Sequence, residues 1–224
     1  MKQHLRVADY KSMPWKNGLG TTVELAVASH GSANGSVHES AHESAHESTG
    51  LPDQGDSPFL WRISIATVAQ DGPFSCFPCI DRNLMILEGK GMVLDVARQG
   101  KLTLKAPLQP VEFAGDVAVE AQLTEGPITD FNVMVDRRYA RASVHVLQLG
   151  LEKQMVELSG GTDFFYIPAN AAAVVINADQ KFRLVAGESC HLSGESGQVS
   201  LVREETAAMG KTSSPVIHVA IRHL

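Results

Sequence analysis

Apolar and polar side chains alternate with a period of two over many short stretches, and no long stripe of helical period interrupts them. Trp61, Ile63 and Ile65 fall on one face of a strand, with Arg62, Ser64 and Ala66 on the other. Phe131, Val133 and Val135 oppose Asp130, Asn132 and Met134 in the same way, and Val23, Leu25 and Val27 alternate after Thr21. Further strands are expected at 92–96, 144–149, 174–177, 182–185, 199–202 and 216–222. Turn signals separate them, among them Gly72-Pro73, Gly89-Lys90-Gly91, Gly126-Pro127 and Gly160-Gly161. Many short strands at regular spacing predict an all-β sandwich or barrel. The halves also echo each other. An apolar strand runs into a glycine turn at Leu84–Gly91, followed by Phe113–Asp116. Phe164–Pro168 and then Leu184–Glu188 repeat that sequence of features. Two jelly rolls of roughly 100 residues each fit this echo.

Length agrees with either one large domain or two small ones, since 224 residues stand against about 150 per domain. With 44% hydrophobic and 20% charged residues, disorder of the whole chain is excluded. The longest uninterrupted apolar run, at 171–176, is far short of the roughly 20 residues a membrane helix needs. Met1–Lys16 has no apolar h-region of a secretory signal. The expectation is a cytoplasmic protein with no membrane partner.

Composition breaks at 29–57, where His38-Glu39-Ser40-Ala41, His42-Glu43-Ser44-Ala45 and His46-Glu47-Ser48-Thr49 form a four-residue repeat. A polar insertion in a surface loop accounts for it; the rival reading is a metal-binding histidine tract. The segment holds five of the 25 acids and none of the 19 Lys and Arg, so 19 bases face 20 acids elsewhere. No basic excess remains for phosphate, and no nucleic-acid partner is expected. Three cysteines cannot close a disulfide framework. Cys76-Phe77-Pro78-Cys79 has redox spacing, but the strand-like run Leu84–Leu87 follows it where a helix should open. Two incidental small side chains are the plainer reading.

Candidate chemistry gathers in four places. The turn Met13–Thr22 packs Trp15, Lys16, Asn17, Thr21 and Thr22 around Gly18 and Gly20, read equally as ligand contact or as a plain turn. It is not a phosphate loop, because the order of that motif is absent. Arg62 and Ser64 share a strand face, and a guanidinium fork suits a carboxylate if that face lines a cavity; facing water, Arg62 is an ordinary surface residue. Asp81-Arg82 invites the same two readings, and Asp130 and Asn132 alternate with apolar neighbours. His145, His191 and His218 stand alone in strand-like contexts, as structural histidines do. No nucleophile arrangement is marked locally.

Together these segments carry a resemblance. Pro14-Trp15-Lys16-Asn17-Gly18-x-Gly20-Thr21-Thr22, Trp61–Ala66, Gly72-Pro73-Phe74-Ser75-x-Phe77-Pro78-x-Ile80-Asp81-Arg82, Leu87-Glu88-Gly89-x-Gly91, Phe113-x-Gly115 and Asp130-Phe131-Asn132-Val133-Met134 resemble the HutD/Ves family over most of residues 10–140. The match is looser from 145 onward.

The resemblance implies a bicupin of two tandem cupin-like β-barrels of jelly-roll type, tied to bacterial histidine utilisation. Its first barrel would span 1–128, with 29–57 inserted, and its second 129–224. It also implies a polar pocket for a small carboxylate such as N-formylglutamate, urocanate or formate, in a regulatory or buffering role. The expected ligand-binding residues are Trp15, Lys16, Asn17, Thr21, Thr22, Arg62, Ser64, Asp81, Arg82, Asp130 and Asn132. The alternative is an isomerase or hydrolase with Asp81 or Asp130 as general base. Metal and cofactor are expected to be absent, because cupin metal motifs need a histidine set and Gly72–Gly91 has no histidine. This chain departs from the family at Cys79, where glycine is usual, at Leu19 in the glycine turn, and in the histidine insertion.

Overall fold

The computed structural model describes residues 1–15, 20–30, 57–105, 107–169, 171, 174–177, 180–204 and 213–224. Lys16, Asn17 and the histidine repeat of the 29–57 insertion lie outside the described residues.

In chain order the strands are β1 (Lys2–Leu5), β2 (Lys11–Pro14), β3 (Gly20–Ala28), β4 (Trp61–Val68), β5 (Gly72–Pro73), β6 (Ile80–Glu88), β7 (Met92–Val96), β8 (Gly100–Leu104), β9 (Val111–Ala114) and β10 (Val119–Leu123). There follow β11 (Ile128–Asp136), β12 (Ala140–Leu149), β13 (Gln154–Glu157), β14 (Thr162–Tyr166), β15 (Val174–Asn177), β16 (Lys181–Leu184), β17 (Ser189–Ser193), β18 (Gln198–Arg203) and β19 (Ser214–His223). One short 3-10 turn, Val7–Asp9, is the sole helical element among the described residues. No helix there is long and apolar enough to cross a membrane. The protein is all-β.

Two compact units divide the chain: Lys11–Arg141, and Met1–Tyr10 together with Ala142–His223. Strand β11 begins at the point where the sequence reading starts a second domain, yet it is paired between β4 and β6 of the first unit. The Lys11–Arg141 unit contains a six-stranded sheet in the order β2-β3-β4-β11-β6-β9 and a four-stranded sheet in the order β5-β10-β7-β8. Neither closes into the barrel that the family resemblance implies. One reason is local: β5 is two residues long and ends in Pro73, which has no N–H to extend a ladder.

Period-two alternation builds the space between these sheets. Even-numbered side chains of β4, β6 and β11 (Val68, Leu84, Ile86, Ile128) pack with Met92, Leu94 and Val96 of β7, Leu104 of β8, and Val119 and Ala121 of β10. Each such aliphatic side chain, fully buried, stabilises by roughly 1.5–3 kcal/mol. The bulky odd-numbered face, with Trp61, Ile63, Phe131 and Val133, is buried as well. Along the even face, polarity is graded. The cross-strand rows run Arg62–Met134–Arg82, then Ser64–Asn132–Leu84, then Ala66–Asp130–Ile86, and end at Val68–Ile128. One end of the face is charged and the other is aliphatic.

The other unit repeats the plan with a five-stranded sheet, β1-β17-β14-β19-β12, and a four-stranded one, β13-β18-β15-β16. Phe165, Cys190, Leu192 and Val216 of the first meet Val174, Ile176, Leu184, Val199 and Leu201 of the second. Strand β1 completes that sheet by pairing antiparallel with β17, Lys2 opposite Leu192 through Leu5 opposite Ser189.

Candidate functional site

A cavity of about 350 Å³ lies along the graded face in the Lys11–Arg141 unit, from Arg62 to Val68. Its floor is the six-stranded sheet: Thr22 from β3, Arg62, Ser64, Ala66 and Val68 from β4, Arg82 from β6, and Asp130, Asn132 and Met134 from β11. Met13, Pro14 and Trp15 wall one side, and the segment Pro73–Ser75 with Phe77 walls another.

Two guanidinium groups dominate it. Arg62 is 7% exposed and Arg82 5%, and they flank Met134 in one row. Arg62 Nε lies 3.4 Å from Glu24 Oε2, an ion pair with the neighbouring strand. Arg82 lies over two aromatic rings, 4.9 Å from the Phe74 centroid and 5.2 Å from that of Phe113, contacts favourable to a cation. Its Nε has no hydrogen-bond partner among the described residues. Burial pulls the Arg82 guanidinium down to about 10, with Asp130 opposing that shift and Arg62 adding to it.

Asp130 is 1% exposed and sits between Ala66 and Ile86, where the polar face meets the aliphatic one. Burial pushes its carboxyl up to about 7, against the pull of Arg82 and of a hydrogen bond from the Ala66 N–H. Asp130 Oδ1 and Asn132 Oδ1 have no hydrogen-bond partner among the described residues. Unsatisfied buried acceptors of this kind cost about 1–3 kcal/mol each. The Trp15 wall is fixed by its indole N–H, which donates to Thr22 Oγ1 at 2.8 Å, and by the Trp15 N–H to Gly20 carbonyl bond at 2.9 Å. Gly20 is required there: a Cβ would meet the Thr67 carbonyl oxygen at 2.4 Å and the Trp15 ring at 2.9 Å.

The structure thus brings Trp15, Thr22, Arg62, Ser64, Arg82, Asp130 and Asn132 to one cavity. Thr21 is in register with Pro14 and Thr67 and does not line it. Asp81 is a clearer departure. Strand parity turns it away from Arg82, and it accepts a hydrogen bond from Arg137 Nε at 2.6 Å. That guanidinium also donates to Asp116 at 2.5 Å and to the Ile80 carbonyl at 2.6 Å. Asp81 is therefore part of a structural clamp and is not among the residues that line the cavity. Sequence reading missed Phe74 and Phe77, although two aromatic rings among the prolines of a turn segment signal that they cover something.

His218 does not stand alone as its sequence context suggests. In the second unit its Nε2 pairs with Asp163 Oδ1 at 2.8 Å and its ring stacks on Phe165 at 4.5 Å. Asp163 Oδ2 accepts hydrogen bonds from the Ser159 N–H and hydroxyl, both at 2.8 Å. The carboxylate lies between serine and histidine, whereas a nucleophile triad needs histidine in the middle. Cupin-type folds often hold a metal. The donor set here does not fit one: among the described residues no three His, Cys, Asp or Glu side chains converge.

A family model for HutD matches residues 7–209. The chain belongs to the HutD family. That membership links it to histidine utilisation. It is similar over 100% of both chains to HutD of Pseudomonas fluorescens SBW25, with 26% identity and a TM-score of 0.72. It is likewise similar to the conserved protein of unknown function PA5104 of Pseudomonas aeruginosa PAO1, with 27% identity, 100% of both chains covered and a TM-score of 0.76. YhhW of Escherichia coli, at 9% identity and a TM-score of 0.60 over 98% of this chain and 97% of its own, shares the all-β, cupin-like fold.

Proposed function

We propose that this HutD-family chain is a bicupin of two cupin-like units, and that its Lys11–Arg141 unit binds a small carboxylate of histidine breakdown as a regulatory or buffering module. One observation carries the reading: two buried guanidinium groups, from β4 and β6, converge on one small cavity beside Ser64 and Asn132. A carboxylate there accepts a bidentate, charge-assisted pair in a site sheltered from water. Arg62 and Arg82 supply charge, Ser64 and Asn132 hydrogen bonds, and Trp15 and Phe74 the walls. The solved structure of the P. fluorescens relative is of a formate condition, and formate belongs to the proposed ligand class. Binding runs through protein groups, without metal or cofactor.

Calorimetry with formate, urocanate and N-formylglutamate tests this. Hydrogen bonds to charge are worth about 1.5–3 kcal/mol, and Arg62→Lys keeps the charge but loses the fork. It should weaken the tightest acid by about tenfold or more. Equal affinity for wild type and Arg62→Lys would remove Arg62 from the site. A second reading rests on Asp130, whose raised pKa suits a general base in an isomerase or hydrolase; turnover of any acid on the panel, abolished by Asp130→Asn, would favour it.

A further inference from the structure

We infer that Asp130 binds the ligand as a carboxylic acid: a small carboxylate in the cavity holds a proton on Asp130 Oδ1, taken up wherever the free carboxyl is ionised, and Oδ1 then donates a hydrogen bond to the bound anion. The inference rests on the proposed carboxylate site and adds a proton to its stoichiometry.

Three features of the cavity lead to it. Asp130 lines the cavity, and its Oδ1 has no hydrogen-bond partner among the described residues, on a side chain that is 1% exposed. Its other interactions leave it no strong anchor as an anion: it accepts the Ala66 N–H and feels Arg82 only through space. Its row neighbours are Ala66 and Ile86, which solvate no charge.

The charged groups that line the cavity with it are Arg82 from β6, which acts on its carboxyl, and Arg62 from β4, with Glu24 of β3 paired to Arg62. The wall segment Pro73–Ser75 with Phe77, and the packed strands β7 and β10, present no charged side chain to the cavity. Lys16 lies outside the described residues.

Now add a carboxylate between the two guanidinium groups. Two carboxylates within hydrogen-bonding reach do not both stay ionised in a dry site. The ligand holds its charge because both arginines address it, so Asp130 takes the proton. The bond formed is O–H on Oδ1, the proton comes from buffer, and no electrons change hands. An orphaned acceptor becomes a donor to the ligand, which removes the cost of leaving it unsatisfied. A protonated Asp130 also cannot serve as a general base while the acid is bound.

The test is calorimetric titration of the full chain with N-formylglutamate, whose carboxyls are ionised throughout pH 6–8. Titrations in two buffers of different ionisation enthalpy at pH 7.5 count the protons taken up. Wild type is expected to absorb about three-quarters of a proton per ligand at this pH and to bind about tenfold more weakly at pH 8 than at pH 6, since binding follows the protonated fraction of a carboxyl poised near 7. Asp130→Asn keeps a donor amide in the same shape, so it should bind with no proton uptake and with affinity flat across this range. Binding without proton uptake in wild type overturns the inference and leaves the carboxylate site standing, as does a pH slope that survives in Asp130→Asn. Absence of binding at any pH, with formate also silent, overturns both. If the Asn variant fails to fold, the two-buffer proton count on wild type decides alone.

Discussion

Asp130 sits where the charged end of the β4–β11–β6 face gives way to the aliphatic end, and its energetics follow from that position. Its folded pKa, about 7, lies above the ordinary 3.8. The native state therefore binds more protons than the unfolded chain between roughly pH 4 and 7, and stability falls as pH rises through that window. Above it an ionised, buried carboxylate costs on the order of 2–4 kcal/mol. Asp130→Asn should raise the melting temperature of the ligand-free protein at pH 8, and that gain should vanish by pH 4. Equal gains at both pH values would show that Asp130 is not the titrating group. Cys79 is a second site of residue-scale strain. Its φ is +61°, a left-handed conformation that costs a side chain roughly 1–2 kcal/mol and that glycine adopts freely. Thermal unfolding of Cys79→Gly should show a gain of about 1 kcal/mol; a loss would mean that the thiol makes compensating contacts.

Strand parity decides most of the site at the level of elements. The alternation in Trp61–Ala66 and Asp130–Val135 already separates a bulky face from a face bearing Arg62, Ser64, Asp130 and Asn132, so that part of the cavity was legible in the chain. The same rule separates Asp81 from Arg82, although the sequence reading placed both near the ligand. Asp81 instead joins Asp116 and the Ile80 carbonyl on Arg137, clamping the start of β6 and the turn after β9 to the turn after β11. The hydrogen bond from Arg137 holds the Asp116 carboxyl below the usual range, against the upward push of burial. The clamp is partly solvated, so removing it should cost about 1–3 kcal/mol. Arg137→Met is expected to lower the melting temperature by several degrees and to leave N-formylglutamate affinity within twofold. A tenfold loss of affinity at unchanged stability would return this cluster to the ligand site. The aromatic walls were harder to foresee, because Phe74 and Phe77 lie on a segment with almost no ladder to fix their direction.

For the whole molecule, alternation and turn spacing sufficed to predict an all-β chain, whereas nothing local marks Met1–Tyr10 as belonging with Ala142–His223. That assignment comes from β1 pairing with β17 and from contacts spanning most of the chain, such as His4 Nε2 to Glu188 Oε2 at 2.8 Å and Tyr10 Oη to Ser189 Oγ at 2.9 Å. Long-range partners of an edge strand leave no period in the sequence. Each of the two units packs a larger sheet on a four-stranded one, and the polar cavity lies in the Lys11–Arg141 unit. The guanidinium groups report directly on the occupant of that cavity. In a nitrogen-15 NMR titration with N-formylglutamate, the Nε–H resonances of Arg62 and Arg82 and the Trp15 indole should shift together with one dissociation constant. Arg137, clamped by Asp81 and Asp116, and Arg183, paired with Glu204 at 2.7 Å, should not move. Stationary Arg62 and Arg82 signals at saturating acid, or shifts confined to Arg183, would contradict a carboxylate site in this cavity.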